Sequence, residues 1–199
     1  MVSRRMIYIF VFVLIIGVAY TGWKLTSRNA YESAEYVVLK SDGAFELREY
    51  PDLMMATTDA ASGNGNGGSF GRLFKYISGG NDDKKKIAMT TPVFMEAEST
   101  DASGKMSFVV PKKVADGNIP EPTDQRVRLT QRSGGLFAVI RFAGRENQSL
   151  LDDQQETLKD WILDEGYELV GDPEFAGYDP PWTFGPLRRN EILIRIRQK

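Results

Sequence analysis

The sequence predicts an α+β domain built from two successive ββαββ units behind a separate apolar segment. Three observations carry this reading. Strand-like runs and an amphipathic helical stretch occur in the same order twice; a proline-rich connector divides the two sets; and the first 28 positions are basic and apolar without a single acid. A chain of 199 residues suits one domain with an appendage.

Arg4, Arg5, Lys24 and Arg28 give residues 1–28 a charge of +4, and the remainder holds 21 bases against 27 acids. Between Arg5 and Lys24 lie 18 uncharged residues, Met6 to Trp23, with an unbroken apolar run from Ile9 to Ile16. That length is at the lower edge for a membrane-spanning helix, and Tyr20 and Trp23 stand where interfacial aromatics anchor the far end. No polar face interrupts the run, which speaks against a surface-packed helix. The expectation is an uncleaved signal-anchor over residues 1–28, with the basic pair keeping the N-terminus cytoplasmic. The body, 29–199, then faces the periplasmic or extracytoplasmic side. A cleaved secretory signal is the rival, since Gly17-Val18-Ala19 offers small residues for a peptidase.

In the body, Tyr36–Lys40 and Phe45–Tyr50 read as strands about the turn Ser41-Asp42-Gly43, and Leu53–Ala60 as a third. Residues 62–68 are too rich in glycine for either regular state and form a loop. Over Ser69–Ser78, Phe70, Leu73, Phe74 and Ile77 make the i, i+3, i+4, i+7 stripe of a helix that Gly79-Gly80 ends. Ile87–Met95 and Lys105–Val110 close the first unit. Pro111, Pro120 and Pro122 mark the connector. The second unit has strands at Arg126–Gln131 and Leu136–Phe142. Its helix opens on a capping box, Ser149 with Asp152, and buries Leu151, Leu158, Trp161 and Ile162. Tyr167–Val170 and Glu191–Arg197 are the closing strands. Each unit is too small to bury its own core, so the two pack as one domain.

The chain has no His and no Cys. This excludes zinc fingers, Cys-x-x-Cys redox pairs, c-type haem attachment and triads that need an imidazole or a thiolate. The acidic body argues against nucleic acid as a partner, which demands a clustered basic surface. The glycine loop lacks a phosphate-loop ending, and Asn81-Asp82-Asp83 does not continue as a calcium loop. The first helix admits two readings. Its stripe faces the core with Arg72, Lys75 and Tyr76 turned elsewhere, or it lines a groove for a flat apolar ligand whose carboxylates pair with Arg or Lys.

Tyr76-Ile77-Ser78-Gly79-Gly80-Asn81, Ile87-Ala88-Met89-Thr90-Thr91-Pro92-Val93 and Ser107-Phe108-Val109-Val110-Pro111 follow one another in the chain. After them come Pro120-Glu121-Pro122, Gly177-Tyr178-Asp179-Pro180-Pro181 and Arg188-Arg189-Asn190-Glu191. In wording and order this series resembles the SOUL haem-binding protein family from about Tyr31 to Arg197. The resemblance implies a distorted antiparallel β-barrel-like sheet with two helices and a pseudo-twofold duplication, in agreement with the repeated ββαββ pattern. It also implies non-covalent binding of haem or a related tetrapyrrole in an apolar groove beside the first helix. Carried over to this sequence, Phe70, Leu73, Phe74 and Ile77 become walls, and Arg72 and Lys75 become partners of the propionates. Within the Tyr178-to-Glu191 stretch, Asp-Pro-Pro is expected to set a rigid turn and Arg189 to pair internally.

Protein ligands to haem iron are commonly His, Cys, Met or Tyr. With no His or Cys, Met54, Met55 and Met89 lead a weak set of axial candidates that also includes Met95, Met106 and the tyrosines. The expectation is a haem loosely ligated or unligated, held by burial and propionate pairing, in a protein that carries, buffers or senses its ligand and is not an enzyme. The alternative is a binding or scaffold domain for another amphiphile or a protein partner, with haem affinity incidental.

Overall fold

A computed structural model describes residues 31–60, 68–96 and 104–199, with Gly17 alone ahead of them. The expected signal-anchor and positions 62–67 of the glycine loop lie outside the described residues. Among the described residues no helix is long and apolar enough to cross a membrane.

The compact unit Tyr31–Lys199 begins with β1 (Glu32–Ser33), β2 (Val37–Asp42), β3 (Phe45–Tyr50), β4 (Leu53–Asp59) and α1 (Ser69–Ile77). It continues with β5 (Thr90–Thr91), β6 (Val93–Glu96), β7 (Lys105–Val109), α2 (Lys112–Ala115), β8 (Val127–Arg132) and β9 (Gly135–Phe142). Then come α3 (Gln148–Asp164), β10 (Tyr167–Leu169), β11 (Glu174–Gly177), a 3-10 turn (Gly185–Leu187) and β12 (Asn190–Gln198). Ten of these strands form one sheet in the order β2-β3-β9-β12-β11-β6-β7-β4-β8, with β10 added on β12. Every pair in that sheet is antiparallel. The architecture is α+β, with a strongly curved open sheet in place of a closed barrel.

The duplication is written in the strand order. Exchanging β3 with β8, β4 with β9, β6 with β11 and β7 with β12 reproduces the path β3-β9-β12-β11-β6-β7-β4-β8 read backwards. The pseudo-twofold axis therefore runs between β6 and β11. Among the exchanged strands, β3 does not pair with β4 nor β8 with β9: β3 lies on β9 and β4 on β8, so each half completes the other.

Curvature follows from chain length. Along the sheet β3 and β4 are six strand spacings apart, about 29 Å if the sheet were flat. Only Pro51 and Asp52 join them, a link that spans no more than about 11 Å. The sheet must curl until the two strands approach, and the same holds for β8 and β9 across Ser133-Gly134. The two links meet: the Gly134 amide donates to Asp52 Oδ1 at 2.7 Å. A Cβ on Gly134 would fall on the Tyr50 carbonyl oxygen and within 2.6 Å of the Pro51 carbonyl carbon.

Strand alternation divides the core into an inner and an outer set. Tyr50, Leu53, Met55, Phe94, Val109, Phe137, Val139, Ala176 and Leu193 form one buried cluster on the concave face. On the convex face Ala138, Ile140, Ile192 and Ile194 meet Leu158 and Ile162 of α3, while Ala56 and Phe108 meet Leu73 and Ile77 of α1. The two helices occupy pseudo-equivalent places.

Four local expectations change. The cap of α3 is Asn147, whose side chain accepts from the Leu150 amide at 3.0 Å; Ser149 and Asp152 lie inside the first turn, and Asp152 takes the Gln148 side chain. The single strand expected over Ile87–Met95 is two short ones, divided at Pro92, which cannot donate to a ladder. The strand β11 and the turn of helix α2 inside the connector are additions. The end of α1 is as expected: Gly79 has φ +109°, and the Gly79 and Gly80 amides bond Tyr76 O and Lys75 O, the Schellman pattern that favours glycine.

The crossing of the two links is testable. In urea unfolding, Gly134→Ala is expected to lose about 1–3 kcal/mol through backbone overlap. Gly117→Ala, whose Cβ meets nothing closer than 3.6 Å, is expected to change stability by less than about 1 kcal/mol.

Candidate functional site

Helix α1 presents two faces, one residue step apart. Ser69, Arg72, Leu73, Tyr76 and Ile77 are buried against the sheet, while Phe70 and Phe74 are 45% and 51% exposed. The expected single apolar stripe is thus split: Leu73 and Ile77 belong to the core beneath the helix, and only Phe70 and Phe74 stand free of it. Arg72 and Tyr76 take the buried places because each has a polar partner there. Arg72 Nε donates to Thr58 Oγ1 at 3.0 Å and its Nη2 to the Asp59 carbonyl at 2.6 Å. Tyr76 Oη donates to the Pro120 carbonyl at 2.9 Å; burial pushes its phenol up to about 12. The Arg72 guanidinium thereby clamps α1 to the end of β4. Lys75 is exposed beside Phe74.

Phe70 and Phe74 form one wall of an apolar groove of about 450 Å³. Their rings are near-parallel, 6.1 Å between centroids, and Phe70 rests edge-on against Phe108. The floor is Met89, Thr91 and Val93, from the end of the α1–β5 link, β5 and β6. The opposite wall is the segment after β11, Gly177 through Trp182, and Tyr31 closes one end. This is the size class of small-molecule sites. Of the methionines singled out by sequence, Met89 alone lines this groove. Met55 is buried in the inner core, and Met54 borders a separate hollow near Leu53 and Val110. Among the described residues no group of three or more acids is arranged to hold a metal ion.

Sequence reasoning placed the Tyr178–Pro181 segment in a structural role and missed that it also walls the groove. Both hold, and one buried cluster explains why. Glu191 on β12 has no exposed surface. It accepts two bonds from Arg48, at 2.7 and 2.9 Å, two from Arg189, at 2.9 and 2.6 Å, and one from Tyr178 Oη, at 2.9 Å. Arg48, also fully buried, spends its Nε on Glu46 and lies 4.2 Å over the Tyr36 ring. Arg189 lies 4.0 Å over the Tyr178 ring, and its amide donates to Asp179 Oδ2 at 2.6 Å. Burial alone would raise the Glu191 carboxyl; the hydrogen bonds and charges of Arg48 and Arg189 outweigh it and hold that carboxyl below its ordinary value. Burial, joined by the Glu191 charge, pushes the Tyr178 phenol well above its ordinary value. The groove wall is therefore hung from a buried ionic cluster inside the sheet, and Arg189 pairs internally as expected.

Residues 31–195 match the SOUL heme-binding protein family. The chain belongs to that family. Among SOUL relatives, heme-binding protein 1 of Mus musculus is 28% identical over 130 residues, covering 62% of this chain and 67% of that protein. Heme-binding protein 1 of Xenopus tropicalis is 26% identical over 163 residues, covering 77% of this chain and 84% of the relative. In fold, the SOUL domain is similar to the C-terminal domain of EcmrR, with a TM-score of 0.57 at 14% identity over 78% of this chain and 98% of that one. A hydrolase from Listeria innocua aligns with a TM-score of 0.52 at 10% identity over 80% and 94% of the two chains. At these identities the likeness to solved structures is one of fold alone.

The ionic cluster sets a pH dependence. A carboxyl whose folded-state pKa is depressed adds stability above its unfolded pKa and loses it as pH falls through the folded value. Glu191 is such a group, and its ordinary value is 4.5. Wild type is expected to weaken steeply below about pH 4.5, and Glu191→Gln to flatten that acid limb. At pH 7 the same variant is expected to cost about 3–5 kcal/mol, the loss from breaking one side of a buried ion pair. Chemical denaturation at a series of pH values measures both.

Proposed function

We propose that this SOUL domain binds haem or a related tetrapyrrole in the groove between α1 and the Gly177–Trp182 segment, and that the apolar N-terminal segment anchors it to a membrane for carriage, buffering or sensing of that ligand. The observation that supports the reading best is the pair Phe70 and Phe74. A folded domain gains by burying aromatic rings, yet here two stand half-exposed on a helix facing a groove whose lining includes Met89, Val93, Tyr178 and Trp182 beside Thr91 and Asp179. Such a surface fits a flat apolar molecule. Covering several hundred Å² of porphyrin contributes at about 25 cal/mol/Å² before the costs of association are subtracted.

Lys75 is the carboxylate partner on α1 in this reading, and Arg72 supports the wall from below. Met89 is the axial candidate inside the groove, and a thioether alone is a weak hold on iron, so burial and propionate pairing carry the affinity. The names of the SOUL relatives as heme-binding proteins support the same ligand class. The domain then faces the extracytoplasmic side, as the basic pair Arg4-Arg5 ahead of the apolar run favours.

Haemin titration followed at the Soret band tests the groove. Phe74→Asp is expected to weaken binding by tenfold or more, the loss of roughly 1.4 kcal/mol, with little change in thermal stability. Unchanged affinity overturns the groove assignment. Lys75→Gln is expected to weaken haemin but not the esterified porphyrin, and equal loss for both removes the propionate role. A sharp six-coordinate low-spin spectrum that survives Met89→Leu counts against weak ligation.

A further inference from the structure

The loop between the groove and β12 displays large apolar side chains at its surface. Trp182 is 76% exposed, and Phe184 and Leu187 are 67% exposed each, three large apolar groups within six residues. The loop is nevertheless firmly built. The Thr183 amide donates to Pro180 O, Leu187 to Phe184 O and Arg188 to Gly185 O, all within 3.0 Å. Arg188 Nη1 pairs with Glu146 at 2.5 Å beneath it. No charged side chain lies between Asp179 and Arg188. A rigid, uncharged loop led by a tryptophan has the chemistry of the bilayer interface, where an indole places its ring among acyl chains and its N–H among headgroups.

The length of chain ahead of the domain says which surface this loop meets. The uncharged segment ends at Trp23, and residues 24–30 separate it from Tyr31, a link that reaches at most about 28 Å. A domain of this size is roughly 40 Å across. Tyr31 lines the same groove as Trp182, so on the anchored reading the tether joins the domain beside this loop and is shorter than the domain is wide.

We propose that Trp182, Phe184 and Leu187 dock into the lipid surface, so that the mouth of the groove opens at the headgroup level and takes an amphiphilic ligand from the bilayer. This rests on the anchored reading given above, and its test separates the two. Because the chain has no cysteine, single labels can be placed without a background. The full chain is reconstituted into phosphatidylcholine vesicles carrying a nitroxide at Phe184→Cys, at Leu187→Cys or, as reference, at Glu156→Cys on the exposed side of α3. Oxygen partitions into lipid and a neutral nickel chelate into water. The expected result is a several-fold higher oxygen-to-nickel accessibility at positions 184 and 187 than at 156. Vesicle-bound protein with water-like accessibility at both loop positions overturns the docking and leaves the anchor standing. Protein that does not float with the vesicles overturns both.

Discussion

Two very short links hold this fold in its shape. Pro51-Asp52 and Ser133-Gly134 each join strands that stand far apart in the sheet order, and neither can do so unless the sheet curls. Because the links are pseudo-equivalent, they arrive at the same place, and the chain can cross itself there only where one residue lacks a side chain. Everything else is conditioned by that closure. The inner face becomes a narrow interior, the two helices are pushed to the outside, and each half of the duplication lends strands to the other.

A narrow interior would ordinarily be filled by aliphatic groups. Here the end nearest β11 and β12 holds Glu191, Arg48, Arg189 and Tyr178, with Tyr36 and Arg189 stacking on the edges of the cluster. Buried ion pairs contribute little net stability against a well-packed apolar replacement. What they supply here is direction, because a bidentate guanidinium–carboxylate contact tolerates few orientations. Through Tyr178 and the Asp179 carboxylate the cluster fixes where the chain leaves β11, and so where the second wall of the groove stands relative to α1.

The repeated ββαββ pattern, the end of α1 at Gly79-Gly80 and most strand positions were legible because period-2 and period-3.6 patterns and glycine turns are local signals. Short elements were not. β11 reads Glu-Phe-Ala-Gly, too brief to show an alternation, and α2 hides in a run bounded by prolines. The face of α1 was misjudged for a different reason. Periodicity counts Phe70 and Leu73 as equals, whereas the sheet offers a carbonyl and a hydroxyl where Arg72 lies, and a segment a hundred positions later offers the aromatic groups a second neighbour. One faint signal was present: Glu191 directly precedes the apolar run Ile192-Leu193-Ile194 of β12 and shares a face with the buried Leu193. An acid in that setting requires a cation; Arg189 stands two positions away, but the second partner, Arg48, lies 143 residues away, beyond any local pattern.

The filled interior also decides how a ligand would come and go. A molecule enclosed by a curved sheet leaves only when strands part, and its lifetime is then governed by the rate at which the protein opens. With side chains and charges occupying the inside, the groove lies outside that interior, between Phe70 and Phe74 and the Gly177–Trp182 segment. A ligand seated there would leave without any strand parting, its residence set by the area it covers.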